Sequence, residues 1–276
     1  MVVKKKIIIP LILFLLVVTI VNAEQSLIFS NSQSTEDYQI YINPINNQKT
    51  LIVDGSKQFY REDNILKEVN KTFNNYKIDK SNFKISFNPI QSDGSELFNV
   101  SYKNTSIKFY AEGIKDKDKT DKITNSNAIQ NNNIITYNNF YGSGTILKYT
   151  YESKNHLRKE IILNNLNICT AKKDISFNFK IVTSDDIKTN IIWDKTKDIT
   201  VDSFKIGEIT IPLGKITDSN NIIKKLNYTI SQKASETYLD INVNCDMLRT
   251  LTLPIIIDPD LTIDGTTSTL GGNLTY

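Results

Sequence analysis

The chain has 276 residues, with 33 Lys and Arg against 30 Asp and Glu, one histidine and two cysteines. Its first 23 residues contain three lysines and no acid, leaving 30 basic and 30 acidic side chains in the remainder, and a net charge of zero removes the electrostatic basis of nucleic-acid binding. One histidine excludes metal sites built on several imidazoles, and the abundance of Asn, Ile, Lys and Thr beside few Ala disfavours helices and suits β-branched strands joined by Asn-rich turns.

The N-terminus constrains the rest. Lys4, Lys5 and Lys6 form a positive region, Ile7 to Val21 is almost wholly aliphatic, and Val21-Asn22-Ala23 supplies the small residue that signal peptidase requires. An apolar stretch interrupted by Pro10 falls short of the roughly 20 residues that span a bilayer as a helix. Residues 1–23 therefore read as a signal peptide cleaved after Ala23, and the expected location is extracellular or cell-surface, with the membrane met only during export. No cysteine stands at the cleavage point to carry a lipid.

About 250 residues follow, enough for one large or two modest cores, and their hydrophobic period is two. In residues 24–114, expected as a first β-subdomain, Phe83, Ile85 and Phe87 alternate with polar residues, as do Phe98, Val100 and Tyr102, then Ile107 and Phe109. Each reads as a strand with one wet face. Turn signals stand between them at Asp54-Gly55, Glu62-Asp63-Asn64, Ser92-Asp93-Gly94 and Lys103-Asn104-Thr105. From Asn64 to Phe73 the positions of Ile65, Leu66 and Val69 have helical spacing, but the flanking alternation favours a hairpin.

Residues 115–133 are a run of Lys, Asp, Asn, Thr and Ser with Ile123, Ala128 and Ile129 as the main apolar residues, too few to fill a core. They read as a polar loop or linker between two sandwich-like antiparallel subdomains, with Asp116, Asp118 and Asp121 as a cation-binding alternative to a solvated insertion. Residues 134–262 form the expected second β-subdomain. Alternation returns in Ile175, Phe177, Phe179 and Ile181, in Leu239, Ile241, Val243 and Cys245, and in Leu251, Leu253, Ile255 and Ile257.

Candidate chemistry is sparse. His156 stands in a charged stretch, where a surface role competes with catalysis. Cys169 and Cys245 either pair in an oxidising compartment or remain two thiols; strand parity places Cys245 inward but Cys169 opposite to Leu166 and Ile168. Carboxylate pairs such as Asp185-Asp186, Glu160 with Asp194, or Asp258 with Asp260 meet a glycosidase's residue requirement, but spacing alone does not make them converge. Asp258-Pro259-Asp260 with Asp264-Gly265 is a calcium-friendly turn cluster that lacks the acidic ladder of an EF-hand. Trp193, Tyr137, Tyr141 and Tyr149 are stacking candidates for sugar rings, of which Trp193 and Tyr141 are carried as carbohydrate contacts; the alternative is core filling. Sequons at Asn70, Asn99, Asn104, Asn227 and Asn273 are N-glycosylation candidates. No cofactor is expected.

A resemblance rests on longer runs. Gln58-Phe59-Tyr60-Arg61-Glu62-Asp63-Asn64 with Leu66-Lys67-Glu68-Val69, then Phe83-Lys84-Ile85-Ser86-Phe87-Asn88-Pro89, form opening hairpins; Tyr137 to Tyr149 with Gly142 and Gly144 precedes His156-Leu157-Arg158-Lys159-Glu160-Ile161-Ile162-Leu163; and Leu253-Pro254-Ile255-Ile256-Ile257-Asp258-Pro259 closes the region. This succession, over roughly residues 50 to 262, resembles the N-terminal β-rich region of adhesin-like cell-surface proteins of methanogenic archaea, with similar segments in Rhs-type bacterial surface proteins. Thr145 and Ile146 stand where that pattern often has an acid. Residues 263–276 resemble the start of a β-helix repeat, and because one coil cannot bury its own face, they are expected to be a truncated start.

The resemblance carries no catalytic residues. It implies a non-catalytic structural or display module of a secreted adhesin-like protein, with cell-surface or extracellular glycans or proteins as partners. Two alternatives stand beside it: a carbohydrate-binding or accessory module of a secreted polysaccharide-active enzyme, and a surface-layer component.

Overall fold

The computed structural model describes residues 28–29, 39–42, 49–52, 59–62 and 65–263, except 82, 118, 190 and 191. The signal peptide expected over 1–23, the repeat-like residues 264–276 and the sequon at Asn273 lie outside them. The chain divides into two compact units, Met1–Lys67 and Glu68–Tyr276. Among the described residues no helix is long and apolar enough to cross a membrane.

In the first unit, β1 (Ile28–Phe29), β2 (Gln39–Ile42) and β3 (Lys49–Ile52) form an antiparallel sheet. Strands β4 (Phe59–Glu62) and β5 (Ile65–Glu68), the latter reaching the boundary, pair as a two-stranded sheet. The hairpin forms there, and the helical spacing of Ile65, Leu66 and Val69 goes unused.

The second unit holds two large antiparallel sheets. The nine-stranded sheet runs in the order β18 (Ile199–Val201), β23 (Asn227–Lys233), β24 (Glu236–Asn244), β16 (Asp174–Thr183), β10 (Thr105–Asp116), β9 (Glu96–Tyr102), β7 (Lys84–Phe87) and β6 (Lys77–Ile78). Strand β11 (Lys119–Asp121) folds back onto β10. The other sheet, of twelve strands, is centred on β15 (His156–Leu163), β14 (Thr145–Ser153), β13 (Ile134–Asn138), β12 (Ser126–Asn131) and β8 (Ile90–Gln91). On the far side of β15 it continues through β26 (Leu261–Ile263), β20 (Ile209–Ile211), β19 (Phe204–Ile206) and β17 (Ile187–Thr189). Strand β25 (Ile255–Asp258), built from the closing run of the resemblance, also pairs with β15 and carries β21 (Lys215–Thr217) and β22 (Ile223–Lys225).

All-β antiparallel architecture is as expected, but the division between subdomains is not at 115–133. Strand β10 carries on to Asp116 with Lys115 opposite Ser176 of β16, and β12 pairs with both β8 and β13. One sheet thereby joins residues from both sides of the supposed linker. A strand needs backbone partners first, so buried Ala128 in β12, with buried Ile123 in the loop before it, suffices to seat a run that is mostly polar.

The two sheets meet through aromatic rings. Phe87 and Phe98 of the nine-stranded sheet lie 4.7 and 5.1 Å, centre to centre, from the Tyr149 ring of β14. Elsewhere Tyr141 meets Phe177 at 4.9 Å and Phe204 meets Tyr228 at 5.8 Å. Burying such a side chain contributes about 1.5–3 kcal/mol, and aromatic pairing about 0.5–1.5 kcal/mol more. Most of the buried phenols are anchored: Tyr151 shares a hydrogen bond with Ser81 at 2.7 Å, and the Tyr137 hydroxyl donates to the Asn88 carbonyl at 2.6 Å. The Tyr149 hydroxyl, by contrast, has no partner among the described residues.

A disulfide ties the ends of the central strands. Cys169 closes the 3-10 turn Asn167–Cys169 after β15, and Cys245 opens α1 (Cys245–Leu248) after β24; the two are bonded with a Cα separation of 5.5 Å. Strand parity does not apply to Cys169, because the chain has left the strand and turned. Arg249 reinforces the junction by donating to the carbonyls of Cys169 at 2.6 Å and Lys172 at 2.9 Å.

Two outcomes are expected. Tyr149→Ala lowers unfolding stability by about 3–5 kcal/mol through cavity formation, whereas Tyr149→Phe leaves it unchanged or raises it by about 1 kcal/mol because an unpaired buried hydroxyl is removed; urea titration separates the two. Cys169→Ala with Cys245→Ala lowers stability by ~2–5 kcal/mol, since the bond closes 76 residues of sequence, and reducing agent produces the same shift in melting temperature in wild type but none in the double variant.

Candidate functional site

His156 is not a surface residue. It opens β15 with its side chain 12% exposed, Nε2 lying 2.8 Å from Asp260 and Nδ1 3.0 Å from Glu152. Arg158 closes on the same Glu152 at 3.1 Å. Burial opposes charging of the imidazole, but the hydrogen bonds to Asp260 and Glu152 outweigh it and push its pKa up to about 9. His156 is therefore an imidazolium clamped between two carboxylates.

The neighbouring acids behave as a coupled pair. Burial and the adjacent Asp260 push Asp258 up to about 8. Burial alone would raise Asp260 too, yet hydrogen bonds from His156 and Asp258 and the Lys159 backbone N–H hold it below the ordinary range. Carboxylates displaced in opposite directions are what acid–base catalysis needs; Asp260 is held by His156 and the Lys159 N–H, whereas the buried Asp258 Oδ1 makes no hydrogen bond among the described residues. Lys215 approaches Asp258 at 3.5 Å and Lys148 pairs with Glu160 at 2.7 Å. Lys159 is buried with its amine 3.4 Å from the centre of the Phe179 ring, and burial holds its pKa well below the ordinary value.

Other residues singled out from the sequence separate. Tyr141 is buried against Phe140 and Phe177, both at 4.9 Å, so it offers no face to a sugar, and Tyr137 and Tyr149 are core residues as well. Trp193 lies in the loop after β17, its indole N–H donating to the Lys197 carbonyl at 2.9 Å, beside a small hollow of about 200 Å³ shared with Asp185 and Asp186. Asp194 accepts from the Thr196 N–H and hydroxyl as a turn residue, far in role from Glu160. Asp121 is taken by Lys172 at 2.7 Å and Lys119 at 3.0 Å, while Asp118 and Asp264 lie outside the described residues. Among the described residues no three His, Cys, Asp or Glu side chains converge as a metal site. Of the sequons, Asn70, Asn104 and Asn227 are exposed, and Asn99 is half-buried with its amide donating to Glu96 at 2.8 Å.

A site that the sequence reading did not single out forms on the outward face of the nine-stranded sheet. Pairing places Lys115, Ser176, Asn242 and Asn227 in one row across four strands. Asn178, Asp240, Thr229 and Thr200 make the next, and Lys180, Tyr238 and Ser231 the third. All stand opposite in parity to the core residues Phe177, Phe179, Leu239 and Ile241. Outward side chains are ordinarily wet, yet Ser176, Asn178, Asp240 and Ser231 are each no more than 8% exposed.

Walls account for this. Gly113 sits at a bulge in β10 with φ of 134°, where a side chain would collide with the Asp121 carbonyl, so glycine lets β11 fold close. The resulting arm carries Lys117, Thr120 and Lys122 along two adjoining hollows, which Asp198 also lines. The hollows, of about 550 and about 610 Å³, share Lys115, Lys117 and Asp198.

The floor is pre-arranged. Asp240 accepts from Asn178 at 2.5 Å and Lys115 at 3.0 Å, Asn242 donates to Thr229 at 2.8 Å, and the Tyr238 hydroxyl donates to Glu236 at 2.6 Å. Glu112, half-buried in the wall, makes no hydrogen bond or ion pair among the described residues, and burial raises its carboxyl above the ordinary value. A legible signal existed: β16, β23 and β24 carry Ser, Asn and Thr at outward positions where exposed strands usually carry Lys or Glu. No family model, curated protein or solved structure matches the chain.

The His156 cluster predicts a pH dependence. A group whose pKa is raised on folding, here from 6.5 to about 9, stabilises fully below its unfolded pKa and ceases to do so as pH rises through the folded one. Wild type is expected to lose ~1–3 kcal/mol of stability between pH ~6.5 and ~9 that His156→Gln does not lose. Melting curves of both proteins across that window give the difference directly.

Proposed function

We propose that this chain is a non-catalytic structural and display module of a secreted, adhesin-like cell-surface protein. The observation that carries the reading is that the strongest polar chemistry in the unit, the imidazolium of His156 between Glu152 and Asp260, is locked as a tie between β14, β15 and the residue before β26 and lines none of the hollows described. Such a tie rigidifies a body without offering a nucleophile or base to a substrate. A disulfide across 76 residues suits an oxidising compartment, and the charged N-terminal leader with its Val21-Asn22-Ala23 cleavage signal supports export. A glycan-recognition role is favoured by a separate observation, the walled polar groove on the nine-stranded sheet.

Expression of the full chain in an exporting host tests the reading. The mature protein is expected to begin at Glu24 and to be labelled on intact cells by a membrane-impermeant biotin reagent. Panels of polysaccharide, peptide and ester substrates are expected to show no turnover. Retention of the protein inside the cell, or hydrolysis abolished by His156→Gln, would reject it.

A further inference from the structure

We infer that the groove on the outer face of the nine-stranded sheet is a binding site for a neutral, polyhydroxylated chain, an extended oligosaccharide lying across the strands. The inference goes beyond the display role, which requires no ligand. The hollows are of ligand size, about 550 and about 610 Å³. Their floor comes from strands β23, β24, β16 and β10, with Ile216 and Lys225 of the other sheet beside one of them, and four strands at about 4.8 Å spacing make a floor roughly 15 Å across.

Charge decides the class of ligand. Five carboxylates and five lysines line the two hollows, and several are spent on each other, Lys115 on Asp240 and Lys122 on Asp93. A polyanion or a polycation would meet as much repulsion as attraction. Peptide recognition by strand addition needs an open backbone edge, which a covered sheet face does not supply. What the floor offers is donors and acceptors held in fixed rows, with Asn178 and Asp240 nine-tenths buried and oriented by their neighbours. Hydroxyls of a sugar chain can replace water at such rows without stranding a charge. Tyr238, half-exposed at one end, and Met247 at the other provide the apolar faces on which sugar rings rest.

The groove also relocates the sugar contact expected at Tyr141 and Trp193. Tyr141 is in the core, and Trp193 lines the separate small hollow beyond β17. Neither belongs to the rows described here.

Isothermal titration of the folded protein against neutral hexose and N-acetylhexosamine oligomers, with polygalacturonate as the polyanionic probe, tests the inference. At least one neutral oligomer is expected to bind with affinity unchanged between about 50 and 500 mM salt. Asn242→Ala and Tyr238→Ala each weaken it roughly two- to tenfold, the loss of one hydrogen bond or one stacking contact. Thr229→Trp, which fills the middle row, abolishes binding, and Trp193→Ala changes nothing. Circular dichroism and melting curves establish that each variant is folded; should Thr229→Trp fail to fold, the change Tyr238→Ala at its half-exposed position decides. Absence of binding to every neutral oligomer at millimolar concentration overturns the inference, as does binding that Tyr238→Ala and Asn242→Ala leave intact, or binding to polygalacturonate alone that disappears with salt. Failure here leaves surface labelling and the mature N-terminus of the display reading untouched.

Discussion

The second unit depends on one packing constraint: two antiparallel sheets pressed face to face, with Tyr149 wedged against Phe87 and Phe98 at 4.7 and 5.1 Å. Stacked sheets lie about 10 Å apart, and that gap closes only if every second residue on both inner faces is large and apolar. Phe98 continues the belt by stacking on Phe109 at 4.5 Å, and Phe73 extends it towards Tyr151 at 6.5 Å. A strand that slipped by one residue would turn these rings to water and bring lysines and serines inward. Register, strand order and the polarity of the outer faces all follow from filling this gap.

Around that core, side chains that elsewhere do chemistry are used as fasteners. The Cys169–Cys245 bond, with Arg249 donating to two carbonyls beside it, joins the turn after β15 to the helix after β24. His156 ties β14 and β15 to the residue before β26, and Asp218 gathers the backbone N–H groups of Asn220, Ile222 and Thr252. A buried charge is tolerable only when paired, and pairing removes it from the pool of free acids and bases. Asp258 and Asp260, displaced in opposite directions by burial and by each other, sit within this set of contacts.

The outer face of the nine-stranded sheet is different because it is walled but not filled. One glycine at a bulge lets β11 fold over the end of β10, and Asp198 adds to the lining. Polar residues that would have been ordinary wet positions become a sheltered floor. The aromatic core lies directly below, with Phe177 and Phe179 fully buried under Ser176 and Asn178, and holds that floor rigid. The result is a double sheet with a sheltered polar floor turned outward.

By itself the sequence determined the fold class, because a period of two is imposed by the pleat and survives in any order of strands. Phe83, Ile85 and Phe87, or Phe177 and Phe179, were legible as inward residues for that reason, and the hairpin around residues 63 and 64 was legible from its flanking alternation. Only the tertiary structure decided that residues 115–133 belong to the sheets and not to a linker, since backbone pairing leaves no mark on side-chain composition. It alone brought Cys169 to Cys245, turned Tyr141 into the core against Phe177, and clamped His156 between Glu152 and Asp260, because these meetings join residues distant in sequence, Cys245 76 positions from Cys169 and Asp260 104 from His156. The groove lies furthest from the sequence: its floor obeys the same alternation as any wet face, and what shelters it is a wall contributed by a different strand.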